Sequence, residues 1–300
     1  MKELEIGHYP FTAEEDEKIV KIATFQHMHK LLEHTVFENT NTQEAFLLFS
    51  QYYKTTKELF GCEENARKQG MAGANLFYHG KEHSIYQATY DAIMVTRAIL
   101  ERNDEFSGHV TPEGAFAIPI GALLHDIGYP LNGPHENYAA RTPVHVTEGM
   151  KGAEEIIEKL GVPKTMNMQR IKELVSLGIH TTNFPFTQEH KEEAREKLET
   201  FSPEKRKEAQ IVRLAVQFAD LGGQTARIDY YPHLVRKLRE EMNAAKAGMG
   251  NIIIGNEDEL DTKCRGFMNF VVKQTVGKTG NAFFGEFSNP YFKAWIKNGL

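Results

Sequence analysis

His79 and His83 stand four residues apart, His125 and Asp126 are adjacent at the end of an apolar run, and Asp220 ends another. Imidazole and carboxylate are the side chains that hold divalent cations such as zinc, manganese, iron, nickel or magnesium. Asp126 follows Ala122-Leu123-Leu124, and Asp220 follows Leu214-Ala215-Val216-Gln217-Phe218-Ala219. Burial drives such stretches inside at roughly 25 cal/mol per Å². A carboxylate carried in with them must be paired, hydrogen-bonded or metal-bound, because burying it alone costs several kcal/mol. One or two divalent cations would answer for both carboxylates and the imidazoles at once. A capping Asp beside a satisfied core His is the simpler account of either segment alone; the full set points to a metal centre. The i, i+4 spacing of His79 and His83 puts both on one helical face, so both rings can address the same cavity.

The elements that must position these residues read as helices almost throughout. Thr12 and Glu15 form a capping box, and apolar residues recur at helical spacing from Ala13 to about His34. Thr111-Pro112 and Ser202-Pro203 each place a hydroxyl before a proline suited to a first helical turn. The helices they open run into His125-Asp126 and Asp220, so two candidate ligand groups lie at the C-terminal ends of apolar helices, where side chains converge. Further helices are expected over 43–60, 82–102, 146–160, 167–179, 189–199, 228–246, 261–275 and 289–298. Asn251-Ile252-Ile253-Ile254 is a weak strand signal between glycines. Loops with Gly and Pro at 103–111, 127–143, 247–256 and 276–281 are the places for substrate-facing segments.

Nothing in the 300 residues marks a linker or repeat. The expectation is one domain over 1–300, with N-terminal helices at 1–70 packing on a core over 71–300. The formal charge of −6 argues against a general nucleic-acid-binding surface. Lys205-Arg206-Lys207 and Arg236-Lys237-Arg239 are interleaved with Glu and read as solvated helix faces. Cys62 and Cys264 form neither a spaced metal motif nor a disulfide framework, and the N-terminus lacks an apolar leader. No run of eighteen apolar residues occurs. The chain reads as cytoplasmic and without a membrane partner, and a homodimer is compatible with it. Gly277-Lys278-Thr279 lacks the upstream glycine and strand of a phosphate-binding loop and reads as a turn. His27, His29 and His34 on the first helix suit a surface or interface role.

Tyr78-His79-Gly80-Lys81-Glu82-His83 resembles the Y-H-x-x-x-H signature of the class I cyclic nucleotide phosphodiesterases, within the HD metal-dependent phosphohydrolase superfamily. His125-Asp126 resembles their HD pair, Pro130 matches a proline four residues beyond it, and Ala219-Asp220-Leu221 is similar to their A-D-L motif. Phe283, Phe287, Pro290 and Trp295 are similar in spacing to the family's C-terminal aromatic helix. The likeness runs in order over about 78–295. There are departures. Gly280 stands where the family carries its purine-binding glutamine, Tyr129 where it has a second histidine after HD, and Gly223 where it has an asparagine.

The resemblance implies an all-α fold: a single compact multi-helix bundle with a metal site in its core cleft. It implies that His83, His125, Asp126 and Asp220 hold a first ion, that Asp126 reaches a second, and that His79 is the general acid. Phe283 would stack on a substrate base, with Asn281 or Gln274 a candidate replacement for the missing glutamine, neither in its register. His145 and His180 fall where two-metal HD proteins carry extra histidines; if both bind, the site favours a transition metal over Mg²⁺. The expected activity is metal-dependent hydrolysis of a phosphodiester such as a cyclic nucleotide, the partner being a small-molecule nucleotide or other phosphoester. The alternatives are a nucleotide phosphomonoesterase and a metal-stabilised nucleotide-binding module without turnover.

Overall fold

In the computed structural model, which describes residues 16–34, 42–69, 78–101, 107–131, 144–183, 187–222, 237, 240 and 241, every regular element is helical. The α-helices are α1 (Asp16–His34), α2 (Thr42–Lys68), α3 (Ala88–Glu101), α4 (Pro112–Leu124), α5 (Gly128–Leu131), α6 (His145–Leu160), α7 (Met168–His180), α8 (Gln188–Glu199) and α9 (Pro203–Gln217). Two π-helical segments, Lys81–Gln87 and Phe218–Gly222, lead into α3 and out of α9. The capping box at Thr12, the strand signal at 251–254, the turn at 277–279 and the helices over 261–275 and 289–298 lie outside the described residues. No helix among those described is long and apolar enough to cross a membrane.

Apolar on every side, α4 can be stable only when surrounded. It is buried from Gly114 to Leu124 and packs against α3, α7, α9 and α2. Gly121 and Gly178 both face Val216, where a Cβ on either would crowd its methyl groups, so three helices approach closely there. The helix α7 also packs on α6, and α6 on α5; α1 lies on α3. The core they enclose includes Phe49, Phe60, Phe116, Ile118, Leu123, Ile171, Leu174 and Phe218, each such side chain contributing about 1.5–3 kcal/mol.

Polar contacts set the register of α4. Thr111 caps it weakly, accepting from the Gly114 amide at 3.4 Å. The stronger tie is Glu208 of α9, a buried carboxylate that accepts from the Thr111 amide at 2.7 Å and from its hydroxyl at 2.5 Å, and pairs with Arg170 of α7. Ser202 departs from its expected role. Its hydroxyl donates to Glu204 at 2.5 Å, and no side-chain cap forms at α9.

Three other elements differ from expectation: α5 (Gly128–Leu131) forms inside the stretch expected as a loop over 127–143. The second helix continues past 60 to Lys68, through Gly61, because tertiary contacts outweigh the glycine: Glu64 takes the Lys81 ammonium at 2.7 Å, and Ala66 is buried. The stretch expected as one helix over 82–102 divides at Ala88 into π and α turns. Of the basic clusters, Lys205, Arg206 and Lys207 are exposed as expected, but Lys237 pairs with Glu82. His27 is not a free surface group: its Nδ1 accepts from Arg97 of α3 at 2.6 Å, and burial first, then Arg97 and Lys30, lower its pKa to about 4.

Candidate metal centre

The ends of α4 and α9 arrive beside the π segment that carries His83. His125 caps the C-terminus of α4, and Asp126 follows it into the turn before α5. Asp220 sits within the second π segment, continuous with α9. Thus two of the three stretches bearing candidate ligands are π-helical, a form whose i→i+5 bonding rotates side chains out of α register and which is frequent at functional sites. In the first, that register lets consecutive residues face the same place: His83 enters the cluster and the Ser84 hydroxyl donates to Asp126 Oδ2 at 2.7 Å.

Each imidazole commits one nitrogen to the protein. His125 Nδ1–H donates to the Ala122 carbonyl at 2.6 Å, and His83 Nδ1–H donates to Gln87 Oε1 at 3.2 Å. In the neutral tautomer this leaves both Nε2 atoms with lone pairs, the arrangement a histidine ligand needs. His83 Nε2 lies 3.1 Å from Asp220 Oδ1 and 3.8 Å from Asp126 Oδ2. His125 Nε2 lies 3.1 Å from Asp126 Oδ2 and 3.4 Å from Asp220 Oδ1. Donors at about 2.0–2.2 Å from a tetrahedral ion are roughly 3.4 Å from one another, and the four separations bracket that value. All four residues are buried.

His125 Nε2 is the informative atom. Although carboxylate oxygens flank it, neither lies where the ring nitrogen could form a hydrogen bond, so this buried atom makes none. A buried nitrogen that meets its neighbours only as ion pairs outside hydrogen-bond geometry is under-satisfied, and a cation among these donors would satisfy it. The electrostatics agree. Burial opposes charge on His125, yet Asp126 and Asp220 override it and raise its pKa well above the ordinary value. Burial likewise opposes charge on both carboxylates, yet neighbouring imidazoles, His125 foremost, hold Asp126 well below the usual range and Asp220 below it. The cluster is therefore stabilised by positive charge, which a divalent cation supplies. His83, His125 and Asp126 form the compact ligand group found among the described residues, with Asp220 against both imidazoles.

His79 lies at the rim of the cluster rather than in it. Its Nδ1 contacts Glu241 Oε1, and Glu241 Oε2 accepts from the amides of Tyr78 and His79 at 2.7 and 3.0 Å. Burial would lower the His79 pKa, but Glu241, then Asp126 and Asp220, outweigh it and raise it. The pair resembles an oriented proton donor: one ring nitrogen is held by a buried carboxylate, and the ring centroid lies 6.0 Å from that of His83. Tyr78 stacks on His83, ring centroids 4.3 Å apart.

Not every expected residue joins the group. His180 turns its Nε2 toward α8, 3.3 Å from the His190 carbonyl and 3.5 Å from Glu193, and burial lowers its pKa. It is the last residue of α7, and the packing of α8 against that end takes its ring. His145 stacks on Tyr129, centroids 4.3 Å apart, and approaches His79 at 6.4 Å without entering the ligand group. Phe283, Asn281 and Gln274 lie outside the described residues. Glu241, Ser84 and Gln87 were not foreseen. Gln87 was legible, being four residues after His83 on one face; Glu241 shows only as the residue four after Lys237, with nothing local to say what it meets.

Compared with known proteins, the chain matches no family model, and no curated protein or solved structure is significantly similar to it.

Proposed function

We propose that this chain is a metal-dependent phosphohydrolase of HD type acting on a phosphodiester, most plainly a cyclic mononucleotide. The observation that carries the proposal is the buried His125 Nε2, left without a hydrogen bond amid His83, Asp126 and Asp220 while its Nδ1 is committed to Ala122. The ordered motifs of the sequence and the Glu241-held His79 support the same reading; the phosphodiester and the nucleotide come from the motif resemblance alone.

In this reading His83, His125, Asp126 and Asp220 hold the cation. When bound, a divalent cation lowers the pKa of water and stabilises charge on phosphoryl oxygens. The remaining work falls to the chain. A water oxygen bonds to phosphorus and gives up a proton to solvent, and the ester P–O bond breaks with its electron pair on the leaving oxygen. His79, oriented by Glu241, gives that oxygen its proton and regains one from solvent. A binding module would need no such donor, so the His79–Glu241 pair favours catalysis over binding alone.

Elemental analysis of the purified protein, with a screen over cyclic mononucleotides, cyclic dinucleotides and nucleoside monophosphates, tests the proposal. The expected result is at least one equivalent of a divalent transition metal or Mg²⁺ and turnover of a diester. His79→Ala should retain the metal and lose about 10²–10⁴ in kcat. A protein that takes up no metal, or a loaded protein inert toward every ester, would overturn it.

A further inference from the structure

A cavity of about 540 Å³ lies between α1 and α2, and its lining shares no residue with the metal centre. A volume of that order takes one small molecule. Helical spacing builds its two walls. Lys21 and Phe25 stand four apart on one face of α1, and Ser50, Tyr53, Lys54 and Lys57 recur at i, i+3, i+4 and i+7 along one face of α2. Phe25 meets the rings of Phe46, Phe49 and Tyr53 edge-on, with centroids 5.6, 5.6 and 5.3 Å away. It stays only partly buried, and it lines the cavity together with Tyr53.

The lining is charged against the rest of the chain. The whole sequence carries −6, whereas the described residues around this cavity set Lys21, Lys54 and Lys57 against one carboxylate, Glu58. Glu58 lies 3.9 Å from Lys54, and both side chains are exposed, so that pair contributes little. Lys21 forms no ion pair; its ammonium stands 5.8 Å from the centroid of the Phe25 ring, over an aromatic face. Tyr53 brings a phenol to the same wall. Its buried hydroxyl makes no hydrogen bond, and burial pushes its pKa up, so it keeps its proton and remains a donor without an acceptor. Aromatic walls rimmed by ammonium groups suit a molecule with an apolar body and a negative head.

We propose that this cavity binds a small organic anion of the aryl- or alkyl-carboxylate class, its apolar body against Phe25 and Tyr53 and its carboxylate held by Lys21 and Lys54. Binding there needs neither metal nor turnover, because none of these side chains enters the metal centre. A concave site between two helices favours a single molecule over a membrane surface, which a flat basic face would suit better.

Isothermal titration calorimetry of the full chain with 4-phenylbutyrate, and with the neutral 4-phenylbutan-1-ol as its uncharged counterpart, tests the charge and the apolar body separately. The acid should bind saturably at one equivalent and about tenfold more tightly than the alcohol at low salt. Lys21→Met keeps the apolar stem and removes the charge at an exposed position, where the fold is not at stake. It should weaken the acid about fivefold and the alcohol less than about twofold, and Lys21→Arg should restore the acid. Ser50→Trp, which fills the cavity from α2, should weaken both by about tenfold or more while helicity by circular dichroism persists. Equal affinity for acid and alcohol, a Lys21→Met that weakens both alike or neither, or a Ser50→Trp that binds as the wild type does would each overturn the proposal. So would the absence of saturable binding with both 4-phenylbutyrate and decanoate. Binding to phosphatidylglycerol vesicles without binding of either free acid would make this face a membrane contact and overturn it too.

Discussion

Glu241 decides what His79 can do. A buried carboxylate against Nδ1 favours the imidazolium, so the His79 pKa is raised and the ring keeps its proton further into the alkaline range. Glu241→Gln removes that charge, and the pKa should fall. The alkaline limb of the kcat–pH profile should therefore move to lower pH, with turnover down about tenfold or more at neutral pH; a limb that stays in place would show that another group sets it. His125 tests the cluster from the other side. Because its Nδ1 is committed to the Ala122 carbonyl, Nε2 has no local substitute, and His125→Ala should abolish stoichiometric metal in elemental analysis while helicity by circular dichroism persists.

Among the elements, α4 is the beam on which the site depends, and its N-terminus is anchored by a group far from the chemistry. Glu208 joins Thr111 to Arg170 and thereby fixes α4 to α9 and α7 at the end opposite His125. Glu208→Ala removes a buried carboxylate from two donors and a guanidinium. Unfolding by urea should show a loss of about 3–5 kcal/mol. The α1–α3 contact makes a pH-dependent counterpart. His27 is neutral in the fold, with a pKa lowered to about 4 against 6.5 in the unfolded chain, so below about 6.5 the unfolded state binds the extra proton. Stability should fall as pH drops from 6.5 toward 4, by about 1–2 kcal/mol after allowing for partial solvent exposure. His27→Gln should flatten that part of the stability–pH curve.

For the molecule as a whole, the candidate ligands come from three separate stretches, so a cation binding them ties those stretches together in the folded state only. Linkage then stabilises the fold by about 2.7 kcal/mol at a free metal concentration one hundred times Kd, which for a chain of this size is a rise in Tm of roughly 4 °C. Thermal melts with manganese or zinc, against melts with chelator, measure this. The shift should vanish in His125→Ala, and a shift of equal size in that variant would place the binding elsewhere.

By itself the amino-acid order determined, among the described residues, the helical class, most helix limits, and the four residues His83, His125, Asp126 and Asp220 that the fold brings together. These are local properties. Helix hydrogen bonds span four residues, prolines and capping hydroxyls act within one turn, and a carboxylate ending an apolar run announces its burial wherever the run packs. Only the tertiary structure decided the rest, because it depends on which distant faces meet. Glu241 reaches His79 from 162 positions away, and Glu208 reaches Thr111 from 97. His180 shares the sequence character of the ligands, but the docking of α8 on its helix end takes its ring from the cluster. The π turns at His83 and Asp220 look α-helical in sequence, since the extra residue in each turn is held by contacts with other elements rather than by any preference of the residues within it.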